Sequence, residues 1–199
     1  MRETRTLWRV FPWNRAAVPG ESFGPAYVRP RQVSGRFDLQ DRPLVLYLAE
    51  SPEHAAGEKL QRYRARTIGK PALLEHGWPF ALVSVALSED AWASVGDLTD
   101  PSVLAELGLR PDLVASFDRH VTQDIARRIH DQGFSGLRWW SALTGDWHTT
   151  VLFLDRVSPG SLAYGVPEVL TVESPSVREA AAILGIRIAK PSNYFRSTS

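Results

Sequence analysis

The chain has 199 residues, which is enough for one domain with a hydrophobic core and short for two. Apolar residues make up 44% and charged residues 23%, a composition that favours a folded globular protein over a disordered one. The formal net charge of +1 provides no bulk field that would attract nucleic acid or a membrane surface. The absence of cysteine excludes disulfides, a thiolate nucleophile and cysteine-ligated metals.

The amino terminus has no apolar run or cleavage site typical of a secretory signal, and no stretch is apolar enough to predict a transmembrane helix. We therefore expect a cytoplasmic protein. One domain is expected over residues 1–199, with a mobile polar tail from about residue 190.

In the first half of the chain, alternating apolar and polar residues predict a strand at Leu7–Phe11. A proline- and glycine-rich surface loop follows to Val33, and its length is typical of a functional loop. A second strand is predicted at Leu44–Ala49. A helix then begins at the capping residue Ser51 and is expected to run to about Ala65.

The second half predicts a buried central strand followed by helices and further strands. These elements are a strand at Phe80–Leu87, a short helix at Pro101–Leu107, a longer helix marked by Phe117, Val121, Ile125 and Ile129, strands at Gly136–Trp140 and Thr150–Leu154, a strand-like Val169–Val172, and a short helix near Val177–Leu184. The apolar residues of the longer helix recur every four positions, and Gly133 follows them as a stop signal.

Three polar residues fall on three consecutive predicted elements: Arg36 in a glycine turn, Tyr47 on the second strand and Glu58 in the following helix. An arginine presents a fork of donors to a phosphate or carboxylate, and a tyrosine presents a flat face with a hydroxyl. A carboxylate stabilises a positive charge that develops nearby. The set suits an anionic substrate whose reacting centre becomes cationic.

Each of these residues alone has a simpler interpretation. Arg36 is then a solvated loop charge, Tyr47 a core tyrosine, Glu58 the partner of Arg62 in a surface ion pair, and Ser141 the first residue of a turn. The histidines show no paired metal-ligand spacing, so no metal site is expected. Neither a nucleophile elbow nor a glycine-rich phosphate loop is present in the sequence.

The combination of motifs resembles the RES-domain family, named for its arginine, glutamate and serine. The resemblance is carried by Leu7-Trp8-Arg9-Val10, Gly35-Arg36-Phe37, Tyr47-Leu48-Ala49, Ala55 with Glu58, and Ser141 ahead of a strand ending in VLFLDRV. It covers roughly residues 5–157. Phe37 stands where the family commonly has tryptophan, and the segment 158–199 is longer than the family core requires.

This resemblance implies an α+β fold similar to ADP-ribosyltransferases, with a split mixed β-sheet and surrounding helices around a central NAD cleft. It also implies an enzyme that cleaves the nicotinamide–ribose bond of NAD, as the toxin of a two-gene toxin–antitoxin module. The expected partner is an antitoxin with a helix-turn-helix domain of the Xre type, and the resemblance is compatible with a toxin homodimer within the complex.

Within that family picture, Glu58, Arg36 and Ser141 are the expected catalytic residues. Arg9, Arg36, Tyr47 and Ser141 are the expected NAD-binding residues. NAD is the substrate rather than a cofactor, and the acceptor of the ADP-ribosyl group is either water or inorganic phosphate. Two alternatives stay open: transfer of ADP-ribose to a macromolecule, and a non-catalytic interaction module. Direct nucleic-acid binding is not expected from the near-neutral charge.

Overall fold

The computed structural model describes residues 4–18, 20–30, 34–39 and 44–189. The tail predicted from residue 190 lies outside these described residues. None of the described helices is long and apolar enough to cross a lipid bilayer.

The described residues form a mixed β-sheet flanked by helices, with a small second sheet beside it. The strands are β1 Thr4–Pro12, β2 Val45–Ala49, β3 Thr67–Ile68, β4 Leu74–Glu75, β5 Trp78–Ser88, β6 Val95–Asp97, β7 Gly136–Trp140, β8 His148–Phe153, β9 Leu162–Tyr164, β10 Glu168–Val169 and β11 Arg187–Ile188. The α-helices are α1 Pro52–Leu60, α2 Glu89–Trp92, α3 Pro101–Glu106, α4 Pro111–Val114, α5 Arg119–Asp131 and α6 Pro175–Ile183.

The main sheet has the strand order β10-β5-β1-β2-β8-β7-β6, and β4 and β9 also pair with β5. β6 and β7 run parallel, while the other pairs of this sheet are antiparallel. β3 and β11 form the small parallel sheet. The mixed sheet with surrounding helices confirms the predicted α+β class.

β5 is the interior strand that the sequence predicts. Phe80 and Leu82 pack toward α1 and α6, while Val83 and Val85 pack on the opposite face. Both faces are therefore covered, which explains why this segment is almost continuously apolar.

Capping residues and glycine mark several of the helix ends. The Ser51 hydroxyl accepts a hydrogen bond from the His54 amide at 3.2 Å, and Pro52 occupies the first turn of α1. Asp118 caps α5 in the same way through the His120 amide at 2.9 Å. Gly133, with φ of +93°, terminates α5 because glycine adopts this conformation without a steric penalty.

Three predicted boundaries are wrong. The regular turns of α1 end at Leu60, and a 3₁₀ turn at Gln61–Tyr63 replaces the helix predicted to reach Ala65. Phe117 lies before α5 with 86% of its surface exposed, because Asp118 starts the helix after it. The predicted strand to Val172 stops at β10, since the Thr171 amide instead bonds the Ser174 hydroxyl in a turn.

The core of the described residues has two parts on one face of the main sheet and a third part on the opposite face. One part packs α1 and α6 against β1 and β5, and another packs α3, α4 and α5 against β2, β7 and β8. The opposite face of the sheet forms a third continuous cluster across β1, β2, β5 and β8. The helices on the first face therefore stand in two groups with a space between them.

Candidate active site

A cleft of about 890 Å³ opens between the two helix groups, with β1 and β2 as its floor. In the described residues, the register of these two strands consists of the pair Trp8 and Ala49, whereas β1 pairs with β5 along its whole length. The strands therefore diverge beyond that pair and leave room in the sheet itself. The volume lies in the range of pockets that bind small molecules and cofactors.

The cleft is lined by positive and aromatic side chains. Among the described residues, the cationic lining consists of Arg9, Arg29, Arg36, Lys59 and Arg119, against the anionic Asp38, Glu58 and Glu75. Trp8, Tyr47, Trp139 and Trp140 are among its aromatic residues. An excess of positive charge beside flat ring faces suits a ligand that carries both phosphates and aromatic bases.

Arg36 and Glu58 enter the cleft from opposite walls. Glu58 belongs to α1 and keeps 41% of its side chain exposed, toward the cleft. Arg36 belongs to the turn beside α4 and α5. Burial lowers the pKa of the Arg36 guanidinium, and the negative charge of Glu58 acts in the opposite direction. The two predicted residues therefore face a common space and influence each other electrostatically.

Arg36 also braces the wall from which it projects. Its Nη2 donates to the carbonyl oxygens of Val114 at 2.7 Å and Ser116 at 3.0 Å. Its Nε is buried and has no hydrogen-bond partner among the described residues. Nη2 of the guanidinium is thus committed to the protein, which fixes the direction from which the positive charge of Arg36 acts on the cleft.

The turn that carries Arg36 is held by a group of short hydrogen bonds. Asp38 accepts the Gly35 amide at 2.6 Å and the Tyr47 hydroxyl at 2.9 Å. The same hydroxyl accepts the Phe37 amide at 3.0 Å, and Gln123 of α5 donates to the Gly35 carbonyl at 2.9 Å. The backbone around Arg36 is therefore fixed from both the strand and the helix.

Glycine is required at position 35 for a packing reason. A Cβ there would overlap both the Asp38 carboxylate and the Tyr47 hydroxyl. Only a residue without a side chain allows these two groups to meet beside the turn.

The Tyr47 hydroxyl is occupied by this bracing, while its ring lines the cleft. Burial and the neighbouring Asp38 charge raise the pKa of Tyr47 well above its usual value. The side chain consequently stays neutral and presents an aromatic surface to the cleft rather than a free hydroxyl.

Arg9 is the second arginine that the sequence singles out, and it stands on the cleft floor. Its guanidinium donates to the carbonyls of Pro25 at 2.8 Å and Tyr27 at 2.5 Å, and it lies over the Phe11 ring at 5.4 Å. Burial lowers its pKa. Arg9 thus ties the long loop after β1 to the sheet and places a positive charge below the cleft.

Ser141 does not line the cleft but lies behind Glu58. It is 8% exposed, and its Oγ donates to Glu58 Oε1 at 3.0 Å. Its backbone amide donates to the Trp147 carbonyl at 2.7 Å, which closes the loop between β7 and β8. The structure therefore brings Ser141 to Glu58, at one remove from the open space.

Two neighbours of the site were missed by sequence reasoning. His54 contacts the Glu58 carboxylate, and its position one helical turn before Glu58 is a signal that could have identified it. Asp38 braces the Arg36 turn, and no local motif marks it. In the described part of the chain, no group of acidic residues and histidines is arranged to hold a metal ion.

Residues 6–172 match the RES domain family. The chain belongs to this family. The match covers β1 to β10, so it includes the floor and both walls of the cleft as well as the loop that carries Ser141. A search of curated protein sequences finds no match to this RES-domain protein.

The RES-domain protein is similar in fold to a chain in the crystal structure of the M. tuberculosis MbcT–MbcA toxin–antitoxin complex. The TM-score is 0.61 at 21% sequence identity, and the superposition covers 92% of this chain and 91% of that chain. This likeness confirms the predicted fold.

Proposed function

We propose that this RES-domain protein is the toxin of a toxin–antitoxin module and degrades NAD by cleaving its nicotinamide–ribose bond. The observation that carries the proposal is the placement of Glu58 and Arg36 on opposite walls of one positively charged, aromatic-lined cleft. Family membership and the similar fold in a toxin–antitoxin complex support it.

The reaction makes specific demands that these residues meet. Nicotinamide leaves as a neutral ring, so the ribose develops positive charge in an oxocarbenium-like transition state. Glu58 supplies the opposing negative charge from the α1 wall, where it selectively stabilises the transition state. Little acid catalysis is needed, because the leaving group is already cationic in the substrate.

The arginines hold the substrate in this proposal. Arg36, which lines the cleft, binds the pyrophosphate through its positive charge, and the buried charge of Arg9 contributes to the field at the floor. The ring of Tyr47 packs against the nicotinamide side. Ser141 acts on Glu58 through its hydrogen bond to Oε1. The acceptor is water or inorganic phosphate, and no resident cofactor or metal takes part.

The partner in this proposal is a helix-turn-helix antitoxin of the Xre type, encoded in an adjacent reading frame. It neutralises the toxin by covering the mouth of the cleft. Expression of this chain alone is expected to arrest growth, and co-expression of the adjacent reading frame is expected to relieve the arrest.

The decisive experiment incubates the purified protein with NAD, with and without phosphate, and separates the products by chromatography. Release of nicotinamide supports the proposal. ADP-ribose as the second product identifies water as the acceptor, and ADP-ribose 1″-phosphate identifies phosphate. Intact NAD under both conditions contradicts the proposal. A parallel incubation of labelled NAD with cell extract, in which label remained on macromolecules, would favour ADP-ribosyl transfer instead.

A further inference from the structure

A buried histidine stands behind the Glu58 carboxylate, outside the lining of the cleft. His54 is 1% exposed, and its Nε2 lies 3.2 Å from Glu58 Oε1. Its Nδ1 is buried and has no hydrogen-bond partner among the described residues. Because a histidine buried this deeply normally satisfies both ring nitrogens, the unpartnered Nδ1 needs a physical explanation.

The neighbouring carboxylate explains the state of the ring. A carboxylate only accepts hydrogen bonds, so His54 Nε2 must carry a hydrogen to bond Glu58. In the neutral ring Nδ1 is then an unprotonated acceptor. The contact with Glu58 therefore places a hydrogen on Nε2, so that this nitrogen donates to the carboxylate.

The ring is fixed in this orientation by its packing. It stacks on Trp147 with centroids 5.0 Å apart and an interplanar angle of 20°. Trp147 packs this closely against α1 because Gly57 has no side chain; a Cβ there would lie 2.7 Å from the indole ring. The loop that supplies Trp147 also supplies Ser141, whose amide bonds the Trp147 carbonyl. The loop between β7 and β8 therefore positions both His54 and Ser141.

The hydrogen bonds at Glu58 leave one acceptor position of the carboxylate open for a ligand. Oε1 accepts from His54 and from Ser141, and Oε2 accepts from Gln61 Nε2 at 3.0 Å. A carboxylate has about four acceptor positions. Three donors among the described residues therefore leave one acceptor position of Oε2 unused, and Glu58 lines the cleft.

We propose that His54 is a positioning residue that, together with Ser141, anchors Glu58 Oε1 so that Oε2 faces a substrate hydroxyl or the developing positive charge. This inference rests on the proposed NAD-cleaving function of Glu58. His54 itself does not touch the substrate. Its contribution is to keep the carboxylate oriented while the reaction takes place, which lowers the activation barrier and leaves substrate binding unchanged.

Two substitutions at His54 separate positioning from simple packing. Glutamine has the same number of bonds from Cα to its terminal nitrogen as histidine has to Nε2, so His54→Gln retains the donor to Glu58. Asparagine is one bond shorter, and His54→Asn places its donor at the Nδ1 position, away from the carboxylate. We expect H54Q to keep kcat within about threefold, and H54N to lower kcat by about tenfold to hundredfold with KM nearly unchanged.

These measurements are made on the full chain with NAD, and thermal unfolding is followed for each variant. Equal kcat for H54Q and H54N, whether both retained or both lost, would overturn the proposal when the wild-type protein degrades NAD. A rise in KM at constant kcat would also overturn it, because that result indicates lost binding rather than lost positioning.

A readout that does not depend on activity distinguishes failure of this inference from failure of the proposed function. Nitrogen NMR of the wild-type imidazole is expected to show the Nε2–H tautomer at His54, with a signal that shifts in Glu58→Gln. An Nδ1–H tautomer would overturn the inference even in an active protein. Intact NAD with the wild-type protein, alongside the expected tautomer, would instead reject the proposed function and with it the positioning role of His54.

Discussion

Trp8 lies opposite Ala49 in the sheet, and this pair marks the point from which β1 and β2 diverge. The main sheet continues without such divergence from β1 into β5 and from β2 into β8. The opening therefore lies within the sheet, and the helix groups on either side become the walls of a cleft. The residues proposed to act on NAD take their positions from this separation.

Replacement of Glu58 by glutamine is expected to reduce NAD loss at least about hundredfold, because the amide removes the negative charge that opposes the developing cation. The unfolding midpoint should change little, since the side chain is partly exposed. Glu53→Gln is a matched control on the same helix, and it lies outside the cleft lining. Full NAD turnover by purified E58Q would defeat the assignment of Glu58.

Replacement of Arg36 by alanine is expected to abolish NAD loss and also to lower the unfolding free energy by about 1–3 kcal/mol. The second effect follows from the lost bonds to the Val114 and Ser116 carbonyls. Arg36→Lys retains the charge without the planar fork of donors. We therefore expect its unfolding free energy to lie between those of R36A and the wild type, and its substrate binding to be weak. Arg15→Ala, at an exposed site outside the cleft lining, is the control. Normal KM and kcat in R36A would contradict its proposed role.

Replacement of Tyr47 by phenylalanine keeps the ring in the cleft and removes the hydroxyl. Because Asp38 and the Phe37 amide then lose a buried partner, the unfolding free energy is expected to fall by about 1–3 kcal/mol. Denaturant unfolding measures this change, with Tyr63→Phe as the control. Unchanged stability of Y47F would show that the hydroxyl does not brace the Arg36 turn.

The ion-pair group around Arg138 is expected to control stability in acid. Burial alone would raise the pKa of Glu50, but hydrogen bonds and charge from Arg138 outweigh it, and the pKa of Glu50 is lowered. Burial would also raise the pKa of Asp97, but hydrogen bonds from Thr99 and the charge and hydrogen bonds of Arg138 outweigh it, so this pKa is lowered as well. A carboxylate with a lowered folded-state pKa stabilises the fold above its unfolded pKa, and this contribution disappears as the pH falls through the folded value.

We therefore expect the unfolding free energy of the wild-type protein to decrease as the pH falls below about 4.5, the ordinary value for glutamate. Arg138→Gln should be less stable at pH 7 by about 1–3 kcal/mol and should show a flatter decrease in acid. Denaturant unfolding across pH 7 to 3 measures both effects. The exposed pair of Arg127 and Asp124 provides the control, since Arg127→Gln should change neither the stability at pH 7 nor its decrease in acid. Parallel pH curves for R138Q and the wild type would exclude the network as the cause.

Local signals in the sequence were sufficient for most of the regular elements. The cap at Ser51, the proline after it, the four-residue spacing within α5 and the apolar run of β5 each act over a few neighbouring residues. The errors of the sequence prediction lie at element boundaries: α1 and the strand at β10 end earlier than predicted, and α5 starts later. After β10, the Thr171 amide bonds the Ser174 hydroxyl in a turn.

The order and spacing of Arg36, Tyr47, Glu58 and Ser141 in the sequence were enough to indicate the family and its expected fold. Only the tertiary structure decided which hydrogen bonds these residues make. The Tyr47 hydroxyl donates to Asp38, the Ser141 hydroxyl donates to Glu58 from outside the cleft, and His54 also contacts the Glu58 carboxylate. These contacts join segments as far apart as the 83 positions between Glu58 and Ser141. Their existence depends on how the sheet divides and the helices pack, because a hydrogen bond requires two groups to meet in space, and local residue preferences do not determine that meeting.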